Sequence, residues 1–430
     1  MKAILSAPGS RGDVNPMIAI GRNLKRLGYD VVISVAAPYA KLAEEAGLTV
    51  EPVISESTFT EAVGNAEVWH PVHGPLQIFR VMIRDFLAKH RRVIEQHSVE
   101  GQTVLVAHPL DLVSRIFREA DPSMLLVGVH LQPVILRTYR DPPRLSPWWF
   151  EPRKPSWLLR GGYALLDHLV IDAILRREIL SVRSDLGVQA PLRRIMDRWW
   201  LSPDATMALY PSRFAPATVG FCNQLVHCGF PLEDVSGSDF EVPSGSPVVF
   251  TSGTANRHCR QFFEVAVHAC KKLKREGILL SSYVENFPKN LPSSIQCHSY
   301  RSLSKLLPHC SAIVHHGGVG TTSQAFAAGI PQVIRPLAFD QFDNAERVEK
   351  LGCGRWLKRD SDLVSVLASL PGLESGGKPR LSLVKEDSIT LMQREVAGTS
   401  GAVIAADRID EMARSHVASY PAQSSQSSRG

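Results

Sequence analysis

No run of eighteen or more apolar residues occurs in the chain, which excludes an apolar transmembrane helix. The apolar opening Met1–Ala7 is interrupted by Pro8-Gly9, too early for a secretory leader. It reads as the first strand of a fold, and the chain is expected in the cytoplasm. Cysteine is scarce: seven, at 222, 228, 259, 270, 297, 310 and 353, an odd number with no close pairs. That spacing argues against a disulfide framework or a zinc ligand set, so the thiols are read as reduced and structural. Neither sign of charge dominates. A net charge of +6 suits an anionic ligand or a membrane surface but is too mild and dispersed for a nucleic-acid partner. Two common phosphate loops are also missing, Gly-x-x-x-x-Gly-Lys-Ser/Thr and Gly-x-Gly-x-x-Gly.

What is present is a 430-residue chain, 44% hydrophobic, with a mean hydropathy of −0.03, enough for large cores in two domains. Its most informative stretch is 312–346. Ala312–Val314 reads as a buried strand, His315-His316-Gly317-Gly318 as a turn, and Gly320–Ala328 as a helix stopped by Gly329-Ile330-Pro331. A strand that turns through glycines into a helix builds an anion site. The glycines let backbone approach the ligand, and the free N–H groups of the first helical turn point at it. Thr321 and Thr322 add hydroxyl donors. His315 and His316 add a donor, and a cation if protonated. A plain packing turn would need the same glycines; the double His and the later Asp340-Gln341 favour a ligand, because ligands of such sheets collect at strand C-terminal ends.

The rest of the chain alternates strands and helices. Ala3–Ala7 is a strand, 8–16 a loop, Met17–Leu27 a helix and Val31–Ala36 a strand, the start of a parallel sheet. Strands Thr103–Ala107 and Met124–Val129 end in His108 and His130. Residues 131–165 read as irregular, with six prolines and Trp148, Trp149, Phe150 and Trp157. Such a loop either packs under its own aromatics, lines an apolar acceptor pocket, or dips into lipid beside Arg153, Lys154 and Arg160. A helix is expected over Tyr163–Leu186. The segment 233–246, rich in Asp, Glu, Ser, Gly and Pro, is the best boundary, and the strand–helix pattern restarts after it. Residues 360–415 read as helical and 416–430 as a disordered tail.

Two βα halves, a central linker and a glycine-His turn in the second half resemble a GT-B glycosyltransferase of family 1. The match is carried by His315-His316-Gly317-Gly318-Val319-Gly320-Thr321-Thr322, Gly329-Ile330-Pro331 and Asp340-Gln341 with Asn344. The loop Gly9-Ser10-Arg11-Gly12-Asp13-Val14 and Pro16 is similar to the acceptor-side loop of bacterial antibiotic and sterol glucosyltransferases. The stretches Leu209-Tyr210-Pro211 and Gly229-Phe230-Pro231 are similar to bacterial lipid rhamnosyltransferases. The resemblance implies an α/β GT-B fold, two Rossmann-like doubly wound parallel-sheet domains facing a cleft. Acceptor-binding domain 1–232, linker 233–246, nucleotide-sugar domain 247–400 and a C-terminal helix 401–415 that packs back on the first domain would follow. It implies a diphosphate site of His316, Gly317, Gly318, Gly320 and Thr321 with Ser252, Gly253 and Thr254 across the cleft. Asp340 and Gln341 would bind the donor sugar, and Tyr300, Ser302 and Gln324 the base and ribose. Gln324 stands where the family carries a Glu that holds two ribose hydroxyls. An amide accepts less well, which leaves a dTDP-sugar open beside a UDP-sugar.

The reaction implied is inverting transfer of a hexose or deoxyhexose to a hydroxyl of an apolar or lipid-like acceptor. No cofactor or metal is expected beyond the nucleotide-sugar co-substrate. Relatives often carry a His base in the first loop. No His precedes position 70 here, so Asp13 is the expected base, with its pKa raised by burial and by Asp340. The competing role for Asp13 is helix capping beside Pro16. His108, His130, Trp148 and Trp149 would line the acceptor pocket, and either His could replace Asp13 as base. The alternatives are a sugar-nucleotide 2-epimerase and a catalytically silent nucleotide-sugar binder.

Overall fold

The computed structural model describes residues 1–70, 74, 84–136, 141–144, 155–192, 194–216, 224–233, 245–254, 256–371, 373, 386–398 and 400–419. Trp148, Trp149, Phe150, most of the 233–246 linker and residues 420–430 lie outside them.

The first half runs β1 (Lys2–Ala7), α1 (Arg11–Arg26), β2 (Asp30–Ala36), α2 (Ala40–Glu45), β3 (Thr49–Ile54), α3 (Glu56–Gly64), α4 (Arg84–His97), β4 (Thr103–Ala107), α5 (Leu112–Ala120), β5 (Leu125–His130), α6 (Ser156–Leu166), α7 (Asp172–Asp185), β6 (Ala205–Ala208) and β7 (Leu225–His227). The second runs β8 (Val248–Thr251), α8 (Arg260–Leu273), β9 (Gly277–Leu280), β10 (Ile295–His298), α9 (Leu303–Leu306), β11 (Ala312–His315), α10 (Val319–Ala328), β12 (Gln332–Ile334), α11 (Gln341–Lys350), β13 (Gly354–Trp356), α12 (Leu363–Ala368), α13 (Glu386–Val396) and α14 (Gly401–Ser419).

The strands form two parallel sheets, ordered β3-β2-β1-β4-β5-β6-β7 and β10-β9-β8-β11-β12-β13. Central strands such as β4, β5, β8 and β11 are buried throughout, as expected of parallel strands covered by helices on both faces. Each order reverses direction once, between β1 and β4 in the first sheet and between β8 and β11 in the second. At such a switch point the loops leaving neighbouring strands part in opposite directions and open a crevice at the strand C-terminal ends.

The halves are tied together in three places. Helix α14 places Ala402, Ala405, Ala406, Ile409 and Ala413 in the core of the first half, and Tyr29 Oη donates to Asp410 at 3.0 Å. Phe214 and Phe230 pack on Phe326 of α10. Arg347 on α11 bonds Asp343 at 2.7 Å and Asp141 of the first half at 2.5 Å, while Arg144 N–H donates to Asp343.

Three local expectations are corrected. The loop read over 8–16 ends at Ser10, and helix begins at Arg11 rather than Met17. Asp13 accepts from Ser10 N–H at 2.7 Å and Ser10 Oγ at 3.1 Å, the return arm of a capping box, which starts the helix more than a turn early. The segment read as irregular up to 165 is helical from Ser156, directly after Pro155, whose fixed φ suits entry into a helix. The helix read to 415 continues to Ser419, so 416–419 are not tail.

Candidate active site

The two switch points hold most of the residues the sequence singled out. In the first half, Asp13 follows β1 and His108 follows β4. Asp13 Oδ1 is 3.4 Å from His108 Nε2, and the Asp13 side chain is partly open. Leu110 N–H donates to His108 Nδ1 at 3.2 Å. An Nδ1 that accepts leaves Nε2 as the ring's N–H, aimed at Asp13. His108 N–H donates to Ser6 Oγ of β1 at 3.0 Å, which binds its strand end to the neighbouring one.

Behind His108 lies a fully buried polar network. Asp111 caps α5 by accepting from Ser114 N–H at 3.0 Å and Ser114 Oγ at 2.6 Å. His90 Nε2 lies 3.0 Å from Asp111, and His90 Nδ1 lies 2.8 Å from Ser34 Oγ. Burial pushes the Asp111 carboxyl up, but His90 and the Ser114 donors outweigh it and bring it to about 2. Asp111 N–H donates to the His108 carbonyl at 2.8 Å, so this network fixes the turn that presents His108.

The expectation of a raised pKa at Asp13 is overturned. Burial does push it up, but the hydrogen bond and charge of His108 and the two Ser10 donors hold it below the ordinary carboxylate value. The upward shift falls instead on Asp340, which stands before α11. Burial and then the negative charge of Asp13 raise Asp340 to about 7, while the Asn344 amide, 2.8 Å from its Oδ2, opposes the shift. The two carboxylates therefore sense one another across the cleft, as the sequence suggested, with the roles of perturbed and perturbing group exchanged.

In the second half, β8 leads into Ser252-Gly253-Thr254 and β11 into His316-Gly317-Gly318. The His316 ring lies between two glycines. A Cβ on Gly253 would stand 2.7 Å from His316 Cε1, and one on Gly318 would stand 2.5 Å from His316 Nε2. Gly253 also has φ +83°, a conformation that disfavours a side chain. His316 Nδ1 is buried and has no hydrogen-bond partner. Helix α10 starts at Val319 with no side chain capping its first turn, and Gly320 faces open space. Uncapped N–H groups, an orphaned imidazole nitrogen and an open glycine at one helix start fit an anionic ligand.

The condition attached to the two histidines, a cation only if protonated, is not met near neutrality. Burial lowers His316 to about 4. Burial and the neighbouring His316 lower His315 to about 3, against the opposing Gln332 bond, so both are neutral at pH 7. His315 is fully buried, close to Gln332 Oε1 at 3.0 Å and accepting from Gly317 N–H at 3.1 Å. It shapes the turn rather than lining the site.

The remaining expected positions are spread around this cleft. Gln341 is buried and its Oε1 accepts from Leu337 and Ala338 N–H at 2.7 and 3.1 Å, so its carbonyl end is spent on the preceding loop. Gln324 is buried on α10 and donates to the Leu232 carbonyl at 3.3 Å, beside the linker. Ser302 precedes α9 and lies 3.0 Å from Ser304 Oγ. Thr322 bonds back to the Gly318 carbonyl, while Thr321 and Thr254 are more open. His130 ends β5, buried, its Nδ1 unpartnered; burial, then the charge of His108, lowers it to about 3.

Two residues that the motifs contain had no role of their own in the sequence reading. The Arg11 guanidinium of α1 lies 5.5 Å over the Tyr300 ring, bridging the cleft. Asn344 donates both to the Gly317 carbonyl at 2.8 Å and to Asp340, which locks α11 to the glycine turn. The i, i+4 spacing of Asp340 and Asn344 was the available signal for the second.

Residues 3–135 match the family 28 glycosyltransferase N-terminal domain, and residues 275–373 match the C-terminal domain of erythromycin biosynthesis protein CIII-like proteins. The chain is 27% identical to an O-mycaminosyltylonolide 6-deoxyallosyltransferase of Streptomyces fradiae over 82% of its own length and 84% of that protein. It is 25% identical to a sterol 3-beta-glucosyltransferase of Saccharomyces cerevisiae, of which it spans 30%. Among solved structures, the kitacinnamycin glycosyltransferase superposes with a TM-score of 0.71 at 20% identity, covering 96% of this chain and 98% of that one. Glycosyltransferase VinC in complex with dTDP superposes with a TM-score of 0.67 at 18% identity, covering 96% of this chain and all of that one. Two parallel sheets with a site at both switch points give the chain the GT-B fold, and each half is similar to glycosyltransferases, the first to a family 28 N-terminal domain and the second to an EryCIII-like C-terminal domain.

Proposed function

We propose that this glycosyltransferase moves a hexose or deoxyhexose, with inversion, from a dTDP- or UDP-linked donor to a hydroxyl of an apolar small-molecule or lipid acceptor. The observation that carries this reading is the Asp13–His108 pair facing Asp340 across the cleft, with the uncapped start of α10 and the unpartnered His316 Nδ1 beside it. Asp13 is the base. Its lowered pKa keeps it ionised at neutral pH, and it takes the acceptor proton as the new C–O bond forms and the hydroxyl becomes acidic. His108 cannot take that proton while its Nδ1 accepts from Leu110; its Nε2–H instead orients the carboxylate. Loss of the nucleoside diphosphate is assisted by the α10 N–H groups, by the neutral His316 ring and by Thr321, Ser252 and Thr254, with no divalent cation.

Asp340, with its pKa near neutrality, and the amide end of Gln341 bind the donor sugar; a protonated Asp340 can donate to a sugar hydroxyl. Tyr300 and Ser302 bound the base. Gln324 already donates to Leu232, which leaves its carbonyl for a ribose hydroxyl and suits dTDP at least as well as UDP. The dTDP held by VinC, a structure of the same fold, supports dTDP further. His130, Trp148 and Trp149 are assigned to the acceptor side, and 233–246 to the linker between acceptor and donor domains.

The test incubates the enzyme with a panel of dTDP- and UDP-sugars, with and without hydrophobic hydroxylated acceptors. Acceptor-dependent release of nucleoside diphosphate, undiminished by EDTA, is expected. Donor binding with no release in any combination would instead mark a silent binder, and sugar isomerisation without an acceptor an epimerase.

A further inference from the structure

Of the ten large hydrophobic side chains exposed among the described residues, six lie on one helical run, α6 and α7 joined by a π-helical turn at Asp167–Ile171. Trp157 is 71% exposed, Leu165 60% and Leu169 61%, with Leu158 and Leu166 beside them. The first part of the run is buried only along a narrow stripe, Leu159, Tyr163 and Asp167, spaced i, i+4, i+8. A helix that is apolar around most of its girth but meets the protein along one stripe lacks a partner for the rest.

We propose that this face docks on an anionic lipid surface. Charge selects that occupant. Between Ser156 and Ile171 the only carboxylate, Asp167, is buried, and the exposed polar residues include Arg160 and His168. Arg176 and Arg177, both exposed, carry positive charge along the next turns, past the part-buried Asp172 and Glu178. Leu and Trp on one side with Arg at the margin are the make-up of a helix that lies in the headgroup region, apolar side down and cations against phosphate. A second copy laid on the same face would set its apolar side chains and cations against an identical set, with no exposed carboxylate of that face between Ser156 and Ile171 to complement them. The surface goes beyond the transfer reaction and is read without it, so lipid binding and catalysis fail or succeed separately.

The test is co-sedimentation of the full chain with vesicles of phosphatidylcholine alone and of phosphatidylcholine mixed with phosphatidylglycerol. The wild type is expected to partition at least about tenfold more strongly onto the anionic vesicles. The Leu165→Ser/Leu169→Ser variant loses binding to both, and Arg160→Glu loses the preference for anionic lipid. Circular dichroism and dTDP affinity report whether each variant is folded, and Arg160→Glu serves alone if the double variant is not. Absence of vesicle binding by the wild type overturns the proposal. So does a lipid-free dimer, seen by sedimentation equilibrium, that the double variant converts to monomer, since that assigns the face to a second copy.

Discussion

Replacing Asp340 by Asn should stabilise the protein, and increasingly so as pH rises. Burial and the facing Asp13 raise the Asp340 carboxyl from 3.8 to about 7. A carboxyl whose folded value lies above its unfolded value costs stability as pH climbs from the unfolded value through the folded one. At about 1.4 kcal/mol per unit, the three-unit rise corresponds to a ceiling of about 4 kcal/mol in the wild type above neutrality. Because the side chain is only partly buried, about 2 kcal/mol is the more realistic size. Urea unfolding of wild type and Asp340→Asn at about pH 5 and about pH 8.5 should therefore show the variant gaining about 1–3 kcal/mol relative to wild type between the two. The cross-cleft origin has its own control. In an Asp13→Asn background the same replacement should gain less, because one of the two causes is gone. A stability difference independent of pH, or identical in both backgrounds, would refute the reasoning that places these carboxylates face to face.

Gly253→Ala and Gly318→Ala each push a Cβ into the His316 ring, so both should raise donor KM by about tenfold or more while the protein still folds. Steady-state kinetics with calorimetric titration of dTDP checks this; unchanged affinity would remove His316 from the diphosphate site. Asp111→Asn leaves His90 buried without its carboxylate and should cost about 3 kcal/mol at pH 7, measured by urea unfolding. The stability that the Asp111 carboxylate contributes is present above its unfolded value near 4 and is lost as pH falls through about 2.

The βα alternation was legible because parallel strands covered on both faces must be apolar runs, and β4, β8 and β11 are such runs. The glycine turn was legible because Gly317, Gly318 and Gly320 stand between an apolar strand and a helix, but the glycines alone suit a packing turn as well, and it was the double His and Asp340-Gln341 that pointed to a ligand. The start of helix α6 was hidden because the stretch before it is rich in proline and tryptophan and the helix itself carries Gly161-Gly162, while its buried seam of Leu159, Tyr163 and Asp167 is a pattern only the packed structure displays. The sign of the Asp13 shift could not be read locally. It depends on His108, which is distant in sequence and is delivered by the β1–β4 pairing, and on Ser10, whose donors matter only once α1 starts there. Asn344 stood inside the recognised motif, but its bond to the Gly317 carbonyl appears only when α11 docks against the turn.

The proposed transfer depends most heavily on Asp13 as the group that takes the acceptor proton. Turnover of Asp13→Asn at saturating donor, with donor KM and thermal stability measured alongside, tests it directly. With Asp13 as the base, kcat should fall by about 10²–10⁴ while donor KM is little changed. Turnover near that of the wild type would contradict it and return the base to another group in the cleft.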